Sequence, residues 1–163
     1  PYDCAILLGD GQFGSGTQSQ LLFEEWLIPI CAPQLTAQAR ENLERCELIH
    51  PSPDRRDWRR WLKRTGQFST LNTARGTVFD TLEQGYLAAI GGHGVAIGDL
   101  LLSQEALASG LLTLPFNDAV ATGDGYWLVW PKASAQSQEI ARLHAHLKKA
   151  IPQPVPPSLN MLR

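Results

Sequence analysis

The chain has 163 residues, of which 44% are hydrophobic and 18% are charged, and its formal net charge is −2. This is the composition of an ordinary globular domain or of two small lobes. No apolar run approaches the ~18 residues of a membrane helix, and the chain does not open on a signal-peptide pattern. A module that grips nucleic acid is usually clearly basic, so the charge argues against DNA binding by this chain.

The N-terminal part of the chain predicts two extended segments. Residues 4–8 form a continuous apolar run, typical of a strand buried on both faces. Residues 9–16 are rich in glycine and predict a loop. Residues 21–31 predict a long extended segment, in which Pro29 argues against a helix.

The rest of the chain alternates helices and strands. Helices are predicted at 34–45, 54–64, 82–90, 103–109 and 137–151, and strands at 48–50, 77–79, 95–97, 111–116 and 126–130. The tail at 152–163 opens with four prolines in six residues and is predicted to be extended and loose. This alternation with short connections is the α/β signature.

Three sequence features suggest chemistry but have simpler explanations. Gly9-Asp10-Gly11-Gln12-Phe13-Gly14 matches G-x-G-x-x-G, yet no helix opens inside the motif as a dinucleotide site requires. The histidines lack nucleophile or metal spacing, which favours surface and turn histidines and predicts no catalytic residue, metal or cofactor. The three cysteines have no metal spacing either and indicate reduced thiols in a cytoplasmic setting.

A basic cluster surrounds two tryptophans in the helix predicted at 54–64. Its members are Arg55, Arg56, Arg59, Arg60, Lys63 and Arg64. Arginines and aromatic rings together can grip nucleic acid strands. However, Trp58 and Trp61 fall on the apolar face of the helix, which favours packed tryptophans beneath a solvated basic face.

The helix start at Asp80-Thr81 is the strongest candidate for ligand binding. Asp80 has the place of an N-cap, and Glu83 follows three residues later as in a capping box. Backbone N–H groups and the helix dipole at such a start suit a carboxylate ligand. A plain capping box remains the alternative.

Seven motifs in a fixed order point to one family. They are residues 3–11 (DCAILLGDG), 22–33 (LFEEWLIPICAP), 56–62 (RDWRRWL), 79–81 (FDT), 88–98 (AAIGGHGVAIG), 107–116 (LASGLLTLPF) and 126–131 (YWLVWP). The series resembles the effector-binding domain of LysR-type transcription regulators over about residues 3–150. Residues 56–62 resemble a helix motif, D-W-x-x-W-L, of the branch whose members regulate glycine cleavage and inducible β-lactamase.

The resemblance implies two Rossmann-like lobes of the type 2 periplasmic-binding-protein kind. The first lobe would be incomplete and comprise residues 1–28 and 119–151, and the second would comprise 29–118. The winged helix-turn-helix domain of these regulators would be absent from this chain. The intact regulator would bind promoter DNA only through that domain. A cytoplasmic homo-oligomer, a dimer or tetramer without membrane contact, is expected, with helix 103–109 as a contact. The alternative is a free-standing solute-binding protein of the same fold.

The resemblance also implies a small-molecule effector in the cleft between the lobes. The expected ligand-binding residues are Gly9, Asp10, Gly11, Phe79, Asp80, Thr81 and Tyr126. Glycines let backbone groups approach a ligand, and Tyr126 offers a ring and a phenolic donor. An amino acid or small carboxylate is the expected effector, although Leu7-Leu8 stand where the branch often has an arginine and an aromatic residue.

Overall fold

The computed structural model describes residues 3–151 and 158–163, which form two compact units. The first unit extends to Glu25 and resumes at Ala121, and the second comprises Trp26–Val120 together with the C-terminal residues. The chain thus passes between units twice. No helix in the described residues is long and apolar enough to cross a membrane.

The α-helices and β-strands of the described residues are as follows. In chain order they are β1 (Ala5–Gly9), β2 (Thr17–Ile30), α1 (Thr36–Glu41), β3 (Leu48–His50), α2 (Arg56–Thr65), β4 (Thr77–Val78), α3 (Leu82–Ile90), β5 (Val95–Asp99), α4 (Gln104–Ala108), β6 (Asp118–Pro131), α5 (Ser137–Ala150) and β7 (Asn160–Leu162). The expected alternation of strands and helices is present.

The first unit places β6 between β1 and β2, with α5 packed on the strands. Strand β1 runs antiparallel to β6, and Leu8 lies opposite Tyr126. The core of this unit joins Ile140 of α5 to Leu22, Leu128 and Trp130. These side chains come from both strands and the helix, so the amphipathic face predicted for α5 is used.

Strand β1 is not buried on both faces, and that expectation is wrong. Ile6 is 53% exposed, and Leu7 and Leu8 are each 42% exposed. Strand β1 is an edge strand that pairs only with β6 among the described residues, and these three side chains do not belong to the core of the first unit. An apolar run therefore does not distinguish a central strand from an edge strand here.

The second unit is built on strands in the order β2-β5-β3-β4. Strand β2 runs antiparallel to β5, and β3 pairs in parallel with both β5 and β4. Two glycines allow a close approach to β3. A Cβ on Gly76 would lie 2.3 Å from the Leu48 carbonyl oxygen, and one on Gly94 would lie 2.3 Å from that of Glu47. These glycines admit the flanking chain segments to van der Waals distance of the β3 backbone.

The tryptophans of α2 are packed in the core of the second unit, as the amphipathic pattern predicts. Trp58 and Trp61 are fully buried, and their rings meet edge to face at 6.0 Å. Each indole N–H donates to a backbone carbonyl, that of Ile49 at 3.1 Å and that of Asp118 at 2.8 Å. The indoles therefore enter the core with their polar groups satisfied.

Two expectations for the C-terminal half are corrected. Residues 111–116 do not form a strand: only Thr113 bridges to Cys31, because the amides of Leu111 and Leu112 both donate to the Ala106 carbonyl and keep the chain at the end of α4. The tail also contains β7, which pairs in parallel with β6 and inserts Leu162 beside the core. Residues 152–157 of the expected tail lie outside the described residues.

Candidate functional site

The segment Phe79-Asp80-Thr81 lies at the carboxyl end of β4 in the second unit. Strand β4 has only two residues, and the Phe79 amide extends its pairing by donating to the His50 carbonyl at 2.9 Å. Phe79 is half-buried, whereas Asp80 and Thr81 are exposed. The structure therefore delivers both polar residues to the surface, directly before α3.

The capping box lies one residue later than the sequence predicts. Thr81, not Asp80, is the N-cap, because its backbone is still extended (φ −135°, ψ 155°). Its hydroxyl oxygen accepts from the Gln84 amide at 3.2 Å. The Gln84 side-chain oxygen accepts in return from the amides of Asp80 (3.0 Å) and Thr81 (3.3 Å). The assignment of Asp80 and Glu83 as the capping pair is wrong.

The position of the capping box determines which hydrogen-bond donors at the start of α3 remain available to a ligand. The first amides of a helix have no intrahelical acceptor. Those of Thr81 and Gln84 are used by the capping box, which leaves the amides of Leu82 and Glu83. Because the Thr81 oxygen accepts from Gln84, its own O–H can donate elsewhere. Three donors at the positive end of α3 suit an acceptor group such as a carboxylate.

In the first unit, Gly9-Asp10-Gly11 forms a turn beside β6. The Asp10 carboxylate accepts from the Gln12 amide at 2.9 Å, and the Gly11 carbonyl accepts from the Ser19 hydroxyl at 3.0 Å. Gly11 has φ +96°, and a Cβ there would lie 2.9 Å from the Trp127 ring. Within this unit, the group that Gly11 allows to approach the backbone closely is thus an aromatic side chain, that of Trp127.

Tyr126 lies on β6 near the same turn, because Gly9 pairs with its neighbour Gly125. The Tyr126 ring stacks on Phe23 with centroids 4.7 Å apart, and the residue is half-buried. The next residue, Trp127, donates its indole N–H to the Gly9 carbonyl at 3.0 Å. The first unit therefore brings Tyr126 and the glycine turn into one neighbourhood.

Comparisons with known proteins agree on one family. A model of the LysR substrate binding domain matches residues 1–152. This chain belongs to the LysR substrate-binding domain family. The glycine cleavage system transcriptional activator of Escherichia coli is 31% identical over 144 residues, which are 85% of this chain and 46% of that protein. The activator AmpR of Pseudomonas aeruginosa is 33% identical over 127 residues, 77% of this chain and 42% of that protein.

Solved structures give the same result. The effector domain of Pseudomonas aeruginosa AmpR has a TM-score of 0.73 and 28% identity, covering 91% of this chain and 70% of that one. The α/β fold of the type 2 periplasmic-binding-protein kind is therefore confirmed, and the chain is an effector-sensing domain of a LysR-type regulator. It spans about half the length of the curated relatives it matches. None of these relatives is a free-standing solute-binding protein.

Two buried polar residues of this LysR domain were not singled out from the sequence. Asp99 ends β5, and its carboxylate accepts from the amides of Trp26, Leu101 and Leu102 at 3.0–3.2 Å. It thereby holds the turn after β5. His50 is also buried, not a surface or turn histidine, and its Nε2 lies 2.8 Å from the Arg75 carbonyl oxygen. Both residues sit at strand ends, where a polar residue after an apolar run was the available signal.

The basic face of α2 is partly neutralised by acidic residues. Asp57 lies 3.5 Å from Arg56 and 3.6 Å from Arg60, and Asp54 lies 3.9 Å from Arg56. Burial raises the pKa of Asp57 above its usual value, and the two arginines oppose that shift. No group of three or more metal-ligating side chains occurs in the part of the chain that the structure describes.

Proposed function

We propose that this LysR domain senses a small carboxylate-bearing molecule, such as an amino acid, through the start of α3. The observation that supports this is the capping register, which leaves the Leu82 and Glu83 amides and the Thr81 hydroxyl as donors. A carboxylate accepts several such bonds and is favoured by the helix dipole. Phe79 would supply an apolar contact beside them, and Asp80 a polar one.

We propose Gly9, Asp10, Gly11 and Tyr126 as the contribution of the first unit. Tyr126 is the member best suited to direct contact, because its ring is only half-buried and it ends in a phenol. The turn residues would act mainly by position, since their described contacts are to Gln12, Ser19 and Trp127.

The parent regulator would use this domain as a switch, not as a catalyst. An effector changes a conformational equilibrium only by its difference in affinity for the two states. Promoter DNA would be bound by a separate domain, and the assembly would be a cytoplasmic dimer or tetramer. Leu102 and Leu111 support a contact at α4, because they flank that helix and are 49% and 53% exposed.

A proline substitution at the first residue of α3 tests the site. Leu82→Pro removes one donor amide, and proline is well tolerated at this position because its missing N–H has no partner within the helix. Thr81 is extended, which is also the conformation favoured before a proline. Leu82→Ala is the matched control, since it truncates the same side chain but keeps the amide.

The assay is thermal shift with glycine, D-serine, L-serine and D-alanine as probes, because a ligand that binds the folded state raises the melting temperature. At a ligand concentration of 100 times Kd the stabilisation is about 2.7 kcal/mol. We expect Leu82→Pro to weaken binding of a responding probe by roughly 1.5–3 kcal/mol, and Tyr126→Phe by about 0.5–1.5 kcal/mol. The proposal fails if no probe stabilises the domain, or if both Leu82 variants bind equally well.

A further inference from the structure

A second concave site lies in the second unit, between α2 and the loop that follows it. The groove has a volume of about 370 Å³. One wall is α2, with Arg59, Leu62 and Lys63, and the other is the loop that includes Phe68, Ser69 and Thr73. Ligand pockets begin at about 300 Å³, so the groove has room for a compound with one ring.

The loop wall is preformed. Phe68 has φ +53°, a conformation that a non-glycine residue adopts only when its surroundings hold it. Here its ring packs against Trp61 (centroids 6.4 Å apart) and Phe116 (5.1 Å), and its carbonyl accepts from the Leu71 amide at 2.9 Å. A ligand would therefore meet an ordered apolar floor without first having to arrange it.

The helix wall carries two positive side chains that form no close ion pair. Arg59 and Lys63 are four residues apart on α2, so they project from the same face, and both are exposed. Asp54 and Asp57 form ion pairs with Arg56 and Arg60, and Asp54 also interacts with Arg59 at longer range. On the loop side, the Glu44 carboxylate accepts from the Thr70 hydroxyl at 2.6 Å. No described carboxylate lies within ion-pair distance of Arg59 or Lys63.

We propose that this groove binds a small organic anion, a carboxylate or phosphate carried on a compact apolar body. Arg59 and Lys63 hold the charged group, the Ser69 and Thr73 hydroxyls donate to it from the opposite wall, and Phe68 and Leu62 contact the apolar body. The groove lies wholly within the second unit and uses none of the residues proposed for the effector. It therefore stands or falls independently of the effector site.

The test is a titration of the chain with phenylacetate and with phenyl phosphate. The readout is the ¹⁵N-indole resonance of Trp61, whose ring lies against Phe68, while the resonance of Trp130 in the core of the first unit serves as an internal reference. We expect a saturable shift of Trp61 alone. Phenylethanol, which lacks the charge, and acetate and inorganic phosphate, which lack the apolar body, should bind more weakly. The anion that binds better identifies the preferred charged group.

Charge variants locate the binding. Arg59→Gln and Lys63→Gln should each weaken it about two- to fivefold, as expected for an exposed ion pair. Arg45→Gln is the matched control, because it removes the same charge from an exposed position of the same unit outside the groove. The proposal is overturned if neither anion shifts Trp61 saturably, if phenylethanol binds as well, or if the groove variants bind like the Arg45 control.

Discussion

The capping box of α3 allows a sharp prediction, because the sequence contains two overlapping candidates and the structure selects one. In the observed register, Thr81→Ala removes the acceptor for the Gln84 amide, and Gln84→Ala removes the acceptor for the amides of Asp80 and Thr81. In the alternative register the sensitive residues are Asp80 and Glu83. Four alanine variants therefore distinguish the two.

The expected magnitudes follow from the position of the box. Loss of an N-cap hydroxyl costs about 0.5–2 kcal/mol, and the exposure of Thr81 places its loss near 1 kcal/mol, since water can replace part of the bond. Gln84→Ala should cost roughly 0.5 kcal/mol, because alanine is the better helix former and offsets part of the loss. Asp80→Ala and Glu83→Ala lose only a favourable charge at the helix start, about 0.3–0.5 kcal/mol each.

The assay is urea unfolding, with the free energy of unfolding taken from the midpoint and slope. Thr81→Ser keeps the hydroxyl and should stay close to the wild-type value, which separates the cap from the methyl contact. A loss of 1 kcal/mol lowers Tm by about 2–4 °C in a protein of this size. If Asp80→Ala costs more than Thr81→Ala, the register and the donor set inferred from it are both wrong.

Two further predictions concern buried titratable groups. Burial lowers the pKa of His50 below its ordinary value of 6.5, so the unfolded chain takes up the proton first. The free energy of unfolding should therefore fall as the pH drops below 6.5, and His50→Gln should flatten that decline in urea midpoints while the exposed control His146→Gln should not. Burial raises the thiol pKa of Cys31 and Cys46, whereas Cys4 is only half-buried. An aromatic disulfide reagent should therefore label Cys4 first and the other two cysteines only on unfolding. Equal labelling rates for the three thiols would contradict this.

The sequence predicts the elements whose pattern depends on local periodicity. The tryptophan face of α2 and the alternation of strands and helices fall into this class, because an amphipathic stripe is visible in one segment. The burial of β1 does not, since it depends on which neighbours lie beside the strand. The turn at 111–116 likewise depends on the Ala106 carbonyl, which holds two amides in place of a sheet partner.

In the candidate site, too, one feature could be predicted from the sequence and another could not. The place of Phe79-Asp80-Thr81 after a strand and before a helix could be predicted from the sequence. The register of the cap could not, because Asp80-x-x-Glu83 and Thr81-x-x-Gln84 both fit the motif. The structure decides between them by the extended backbone at Thr81. The assignment of these residues and of Gly9, Asp10, Gly11 and Tyr126 to an effector remains a prediction.

The tight approach of Gly76 and Gly94 to β3 limits how this domain can change over evolution. A single methyl group at either position would meet a backbone carbonyl oxygen at 2.3 Å, and a backbone cannot rotate away as a side chain can. Alanine is therefore excluded at both positions, and this constraint does not depend on which ligand the domain binds. A glycine before each strand that flanks β3 should persist in distant sequences after the site residues have diverged, and the pair can serve to recognise domains that share this packing but sense something else.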